Sequence, residues 1–284
     1  MLGLICNDKV EQVGHLLFNN FRLALYNYFG IDNFKDVNSV NDIKDVTHLF
    51  IVDEHFVPNV NIWKNDEFIN TANNTNIIVI VFNFEKVYNS HFPWNVEHQD
   101  KLEQFINLYQ IVSDTNDATM LNKPYVNRQR LSKSTNISIP IINWNDKYDK
   151  VLFIGQLGGA PYTNRENIIR AVINKNTNFE FTIVKSNRQY SYSDFLIKLN
   201  EYKYILNPLG TGSFINLRFY EAAYFNCKII QQLTPDIIKW CPEIYNRCIP
   251  ITNDDLQIDT SHSIIADNIY LEDWFTEIEL KNII

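Results

Sequence analysis

Two hydrophobic rhythms alternate along this chain, one helical and one strand-like. Between Val10 and Phe29 the apolar residues Val13, Leu16, Leu17, Phe21, Leu23 and Leu25 recur at helical spacing and share one broad face. Residues 46–52 read Val-Thr-His-Leu-Phe-Ile-Val, a buried-strand pattern that ends in Asp53, Glu54 and His55. A polar, loosely helical stretch follows. Residues 76–84 then carry an Ile-Ile-Val-Ile-Val-Phe core that predicts a central strand. Beyond it the pattern predicts a helix over 100–108 and a short strand over 109–112. A short helix over 114–121 opens on Asp114 as its cap. Strands separated by helices predict a parallel sheet with crossover connections.

Residues 132–149 change character, with Pro140, two Asn-rich turns, Trp144 and no helical period, so a lobe boundary is placed near Asp146. The alternation then restarts. Strands are predicted over 150–154, 179–184, 202–206 and 228–231, with helices over 165–173, 191–199 and 217–225 between them. Glycine-bearing turns follow the first strand (Gly155 to Gly159) and the third (Pro208 to Ser213). The tail from Tyr270 is amphipathic through Leu271, Trp274, Phe275, Ile278 and Leu280. A membrane-surface helix favours basic residues, whereas this one carries Glu272, Asp273, Glu277 and Glu279, so packing against protein is expected. The expected organisation is an amino-terminal lobe over 1–145, a second lobe over 146–267, and a final helix over 268–284 returning to the first lobe.

Composition narrows the function classes. Hydrophobic residues make up 45% and aromatics 14% of 284 residues, enough for two compact cores. The formal net charge of −8 argues against a protein that coats nucleic acid, where a basic face supplies most of the affinity. The single tight basic cluster, residues 127–133, reads as a solvated linker. Cys6, Cys227, Cys241 and Cys248 form no Cys-x-x-Cys pair and have no His at metal-ligand spacing, which predicts reduced thiols and no structural zinc. The start of the chain does not predict a secretory signal, and no run of about eighteen apolar residues predicts a membrane span. A cytoplasmic location is expected.

The third strand of the second half, the turn Gly210-Thr211-Gly212-Ser213 and the helix after it carry the chemistry. Glycines after a parallel strand admit close approach of a ligand, and the following helix directs free N–H groups toward an anion. Ligands of open α/β sheets sit at the carboxyl ends of strands. Gly210, Gly212 and Ser213 therefore suit a diphosphate, and Arg218 on the first helical turn suits its oxygens. Glu221, one turn later, can accept hydrogen bonds from two ribose hydroxyls. The plainer alternative is an ordinary turn followed by an intrahelical Arg218–Glu221 ion pair. The spacing of Gly155, Gly158 and Gly159 does not match Gly-x-Gly-x-x-Gly, and neither turn holds the Gly-Lys-Ser/Thr of a P-loop.

Three words taken together, Lys-Tyr-Ile-Leu-Asn-Pro-Leu-Gly-Thr-Gly (203–212), Leu-Arg-Phe-Tyr-Glu-Ala-Ala (217–223) and Asn-Cys-Lys-Ile-Ile (226–230), resemble the donor segment of exostosin-like and related GT-B glycosyltransferases. The resemblance spans roughly residues 150–251. It implies an α/β fold of two Rossmann-like lobes (GT-B type) with a cleft between them. It also implies transfer of a hexosyl or pentosyl unit from a nucleoside-diphosphate sugar, a UDP-sugar first, to an acceptor hydroxyl. Glu221 matches the family's ribose-binding carboxylate and Arg218 its arginine. Gly210 and Gly212 match its glycine turn, and Gly155 with Tyr162 and Arg165 its second turn and downstream arginine. Asn226 stands where the family usually has glycine, a position where asparagine accepts a left-handed backbone. The position eight before Glu221 is Ser213, so the paired glutamates of many retaining members are absent and the stereochemical class stays open.

No Asp-x-Asp occurs in the chain. The expected site therefore uses no metal and no cofactor, and stabilises the leaving diphosphate by dipoles and cations. A base for the acceptor hydroxyl is expected from Asp53 or Glu54, with His55 and Glu85 as further candidates. His91 and His98, near Trp94, are read as packing residues. The acceptor is a glycan or another hydroxyl, and a modified DNA base is a variant that the acidic total disfavours. A non-catalytic nucleotide- or glycan-binding module is the alternative, and a nicotinamide-dependent oxidoreductase lacks its fingerprint.

Overall fold

The computed structural model describes residues 1–6, 15–52, 61–84, 94–121, 130–157, 163–185, 190–210, 212, 215–262, 264 and 269–283. Contacts divide the chain into two units, Met1–Thr135 with Tyr270–Ile284, and Asn136–Ile269. The division falls at Thr135, ahead of the boundary expected at 145, because the intervening segment is tied to the second unit. Ile142 N–H donates to Asn200 Oδ1 at 3.1 Å, and Asn200 Nδ2 donates to Pro140 O at 2.7 Å. Lys147, only 4% exposed, donates to Asn200 O at 2.6 Å.

The first unit comprises β1 (Leu2–Cys6), α1 (His15–Phe29), β2 (Phe34–Asp36), β3 (His48–Val52), α2 (Asp66–Asn74), β4 (Ile78–Phe82), α3 (Trp94–Leu102), β5 (Leu108–Ile111) and α4 (Thr115–Leu121). Its strands form one parallel sheet in the order β2-β1-β3-β4-β5. The continuous apolar runs of β3 and β4 follow from burial on both faces. Phe50, Val52, Ile80 and Phe82 join one core with Phe18, Phe21 and Leu25 of α1, while Leu49, Ile51, Val79 and Val81 join another with Trp63, Phe68 and Ile69. Both β1 and β2 were unanticipated: β2 has only three residues, and β1, Leu-Gly-Leu-Ile-Cys, carries a glycine in place of a β-branched or aromatic residue.

The helix expected over 100–108 instead occupies Trp94–Leu102. Asn73 stops it from running on, its side chain donating to Gln104 O and accepting from Ile106 N–H, each at 2.9 Å. The last helix of the chain, Leu271–Glu277, packs Leu271, Trp274 and Phe275 into the α1 side of this core. Within its acidic face Glu272 is buried rather than solvated. It accepts from Asn27 Nδ2 and Ser132 Oγ, each at 2.8 Å, and from Lys133 N–H at 3.0 Å.

The second unit comprises β6 (Tyr148–Gly155), α5 (Thr163–Lys175), β7 (Phe181–Lys185), α6 (Tyr192–Asn200), β8 (Tyr202–Asn207), α7 (Leu217–Tyr224), β9 (Lys228–Gln232), α8 (Pro235–Trp240) and β10 (Ile249–Ile251). Its parallel sheet runs β10-β9-β8-β6-β7. Read from the other edge, the order is second, first, third, fourth, fifth, the same as in the first unit, so each unit is a Rossmann-like α/β sheet. Helix starts follow the sequence: Ser191 Oγ accepts from Asp194 N–H, and Thr234 Oγ1 accepts from Ile237 N–H ahead of Pro235. Asn226 closes α7 at φ 57°, and Asn76 closes α2 at φ 54°. In both corners the next amide reaches back over the last turn, Cys227 N–H to Ala222 O and Ile77 N–H to Ala72 O. None of the four cysteines forms a disulfide. Among the described residues no helix is long and apolar enough to cross a membrane.

Candidate functional site

In the second sheet the strand order reverses between β6 and β8, and right-handed crossovers leave such a point on opposite faces. A crevice at the carboxyl ends of such strands is where open α/β sheets take ligands. The strand ends are Gly155 on β6 and Asn207 on β8. A buried amide relay fixes the β8 end. Asn207 Nδ2 donates to Gln231 Oε1 at 2.7 Å, and Gln231 Nε2 donates to Gln232 O at 2.7 Å. Gln232 Oε1 in turn accepts from Leu209 N–H at 3.0 Å. These glutamines sit at the end of β9, where an apolar strand would give Val or Ile. Their amides satisfy backbone and side-chain groups that burial would otherwise leave without partners.

Two arginines from different helices close on this point. Arg165, in the first turn of α5, is 8% exposed and faces inward. Its Nε donates to Leu209 O at 3.2 Å and its Nη1 to Gln156 O at 3.1 Å, so one side chain bridges the loops after β6 and β8. Arg218, in the first turn of α7, donates from Nη1 to Asn207 Oδ1 at 3.3 Å and lies over the Phe153 ring at 5.7 Å. The residue keeps some exposure, while its Nε is buried without a hydrogen-bond partner among the described residues. Burial pushes its acidity up, with the nearby Arg165 charge adding and Glu221 opposing, to a pKa of about 10. Arg218 thus remains a cation at neutral pH.

Glycine at both strand ends is a matter of space. A Cβ on Gly155 would lie 2.9 Å from Arg218 Nη2 and 3.2 Å from Phe153 Cζ. A Cβ on Gly210 would lie 2.7 Å from Arg165 Nη2. Each glycine therefore makes room for one guanidinium, and Gly155 also holds a φ of 159°.

Glu221, one turn after Arg218, is 3% exposed. It forms no ion pair with Arg218 among the described residues and instead accepts from Tyr192 Oη at 2.7 Å. Burial raises its pKa to about 7, against the pull of the Tyr192 hydrogen bond and the Arg218 charge. Tyr192 is held protonated by its own burial and by Glu221, so it is a donor throughout the ordinary pH range. Two like charges and one reluctant carboxylate leave the site with excess positive charge, the electrostatic signature of an anion site.

Of the residues singled out by sequence, Gly155, Arg165, Gly210, Arg218 and Glu221 therefore converge on the β6/β8 ends. Gly212 is described as a partly exposed bend. Ser213, Tyr162, and the base candidates Asp53, Glu54, His55 and Glu85 lie outside the described residues, as does His91. His98 is buried edge-on against Trp63 at 4.6 Å in the first unit. Sequence reasoning missed Tyr192, Asn207, Gln231 and Gln232. The two glutamines carried a signal, since paired amides ending a buried strand need a polar reason to be there. Tyr192 carried none. Among the described residues no group of three His, Cys, Asp or Glu side chains is disposed to hold a metal ion.

No protein-family model matches the chain, and no curated protein matches it. Among solved structures, similarity is found to a chain assigned as a LacI transcriptional regulator from Bacteroides fragilis. That match has 10% identity and a TM-score of 0.26, covering 100% of this chain and 90% of that one. A chain assigned as a two-component system response regulator/GGDEF domain protein matches at 11% identity and TM-score 0.25, covering 92% of this chain and 96% of that one. At these scores neither likeness carries an argument, and the functional reading rests on the chemistry of the site.

Proposed function

We propose that this chain is a metal-independent glycosyltransferase of the GT-B type. It would move a sugar from a nucleoside-diphosphate sugar, a UDP-sugar first, onto an acceptor hydroxyl. In this reading Arg165 and Arg218 hold the diphosphate, and Glu221 accepts hydrogen bonds from the ribose hydroxyls. Asp53 or Glu54 takes the acceptor proton. As the donor bond breaks, negative charge grows on the diphosphate. Guanidinium groups already fixed by Leu209 O, Gln156 O and Asn207 Oδ1 meet that charge without reorganising.

The observation that carries the reading is the pairing of two inward-turned arginines at the β6/β8 switch with a buried carboxylate one helical turn away. An arbitrary glycine turn has no reason to collect two guanidinium groups, because their mutual repulsion is offset only by an anion or by strong local acceptors.

The test is thermal stabilisation by UDP, GDP, ADP and CMP derivatives, repeated with Glu221→Ala, followed by transfer assays on glycan and modified-DNA acceptors. Stabilisation by a nucleoside diphosphate that Glu221→Ala abolishes supports donor binding. Stabilisation that survives the substitution refutes the assignment of Glu221. Tight binding with neither transfer nor donor hydrolysis returns the non-catalytic module instead.

A further inference from the structure

The carboxylate of Glu221 is already engaged by a side chain of the protein. Its partner, Tyr192, opens α6 directly after the Ser191 cap and keeps a partly exposed ring beside Phe195, centroids 6.3 Å apart. The phenol is the one side chain among the described residues that hydrogen-bonds Glu221, at 2.7 Å. Above its titration a carboxylate so buried does not give up a donor without receiving another, since an unsatisfied buried charge costs more than the bond itself is worth.

We propose that Tyr192 sets the ligand selectivity of this site: its hydroxyl stands on Glu221 where a ligand hydroxyl would bind, and only a ligand that brings a hydroxyl of its own displaces it. This rests on the nucleotide reading above and adds the rule by which the site sorts phosphate ligands. A nucleoside diphosphate with free ribose hydroxyls exchanges one O–H donor for another at Glu221. Pyrophosphate, or a nucleotide lacking those hydroxyls, offers no replacement, so Tyr192 stays in place and such ligands engage only the arginines. The charged and titratable groups bearing on Glu221 are Tyr192 from α6 and Arg218 from α7 itself, with Arg165 of α5 acting through Arg218.

A contrary role has the opposite sign. If Tyr192 remained bonded and braced Glu221 in the complex, removing its hydroxyl would weaken binding. In the displacement mechanism, removing it abolishes the competitor and binding tightens. The experiment compares Tyr192→Phe with wild type by calorimetry against UDP, dideoxy-UDP and inorganic pyrophosphate at about pH 9. That is above the wild-type Glu221 titration at about 7, with a margin for the upward shift that loss of the Tyr192 bond brings to the variant. A thermal midpoint for Tyr192→Phe within a few degrees of wild type, as expected when the ring is retained, establishes that the variant is folded.

UDP is expected to bind Tyr192→Phe roughly tenfold more tightly than wild type, with dideoxy-UDP and pyrophosphate unchanged. Weaker or unchanged UDP binding overturns the proposal, as does equal tightening for all three ligands. If wild type binds neither UDP nor pyrophosphate, the anion-site reading fails as well. Binding of both with no gain in Tyr192→Phe defeats the displacement idea alone.

Discussion

Replacing Glu221 by glutamine isolates the energetic cost of keeping an ionisable group in this site. The amide retains the shape and an oxygen to accept from Tyr192 Oη, so the bond at 2.7 Å has a counterpart. What disappears is the proton equilibrium. In the folded protein the carboxyl titrates at about 7, against an ordinary value of 4.5. Below about 4.5 both states hold the proton and the group adds no pH dependence. Between there and about 7 the unfolded chain releases its proton while the folded one keeps it, so rising pH favours unfolding. Above about 7 the penalty is complete. At 1.36 kcal/mol per tenfold change in proton affinity, it amounts to about 3 kcal/mol.

Glu221→Gln should therefore match wild type near pH 4.5 and exceed it by about 3 kcal/mol at pH 8. Urea unfolding of both proteins across that range measures this as a difference, in which the identical first unit cancels. A difference that stays flat from about pH 5 to 8, or grows toward acid, refutes the burial argument. The same equilibrium bears on the proposed ligand. If ribose hydroxyls bond the ionised form, stabilisation by a UDP-sugar, whose diphosphate has no ionisation in this range, should increase between about pH 6 and 8 in wild type and be level in Glu221→Gln.

Three further substitutions test other joints of the same construction. Gly210→Ala puts a Cβ 2.7 Å from Arg165 Nη2, and should weaken UDP binding roughly tenfold in calorimetry while costing about 1–3 kcal/mol of stability. Asn226→Ala should cost about 1–2 kcal/mol in chemical unfolding because φ is 57°, whereas Asn226→Gly should be neutral or stabilising. Glu272→Ala strands donors on Asn27, Ser132 and Lys133. It should destabilise the first unit by about 2–4 kcal/mol, read as a lower urea midpoint with nucleotide affinity unchanged.

Which parts of this molecule the sequence disclosed depended on whether one element alone carried the signal. Strands β3 and β4 are buried along nearly their whole length, and β6 over its last five residues, so each wrote an apolar run into the chain. The corner at Asn226 was legible because a residue that replaces glycine there must tolerate a left-handed backbone, and it does at φ 57°. Strands β1 and β10 were not legible. Their hydrogen bonds come from partners remote in sequence, Leu2 with His48 and Ile249 with Ile230, while β10 has only three residues and β1 carries a glycine. The end of α3 was misplaced for a related reason: Asn73, on α2, captures the chain at Gln104 and Ile106.

The site divides along the same line. Gly210, Arg218 and Glu221 share one strand–turn–helix word, and a word can be read without knowing the fold. Arg165 faces inward only because Leu209 O and Gln156 O stand within reach, one supplied by a loop some forty residues away in sequence. Tyr192 meets Glu221 across two helices that the sequence joins only through β8. An alternative reading of Arg218 and Glu221 as a mutual ion pair was reasonable at their i,i+3 spacing. It loses because each finds a better-placed partner off the helix, Asn207 for the arginine and Tyr192 for the acid. Among the described residues the guanidinium Nε has no acceptor and the carboxylate is held by a single phenol. In the proposed reading, an anion flanked by hydroxyls would supply the acceptor that the guanidinium lacks and the donors that the carboxylate can still take.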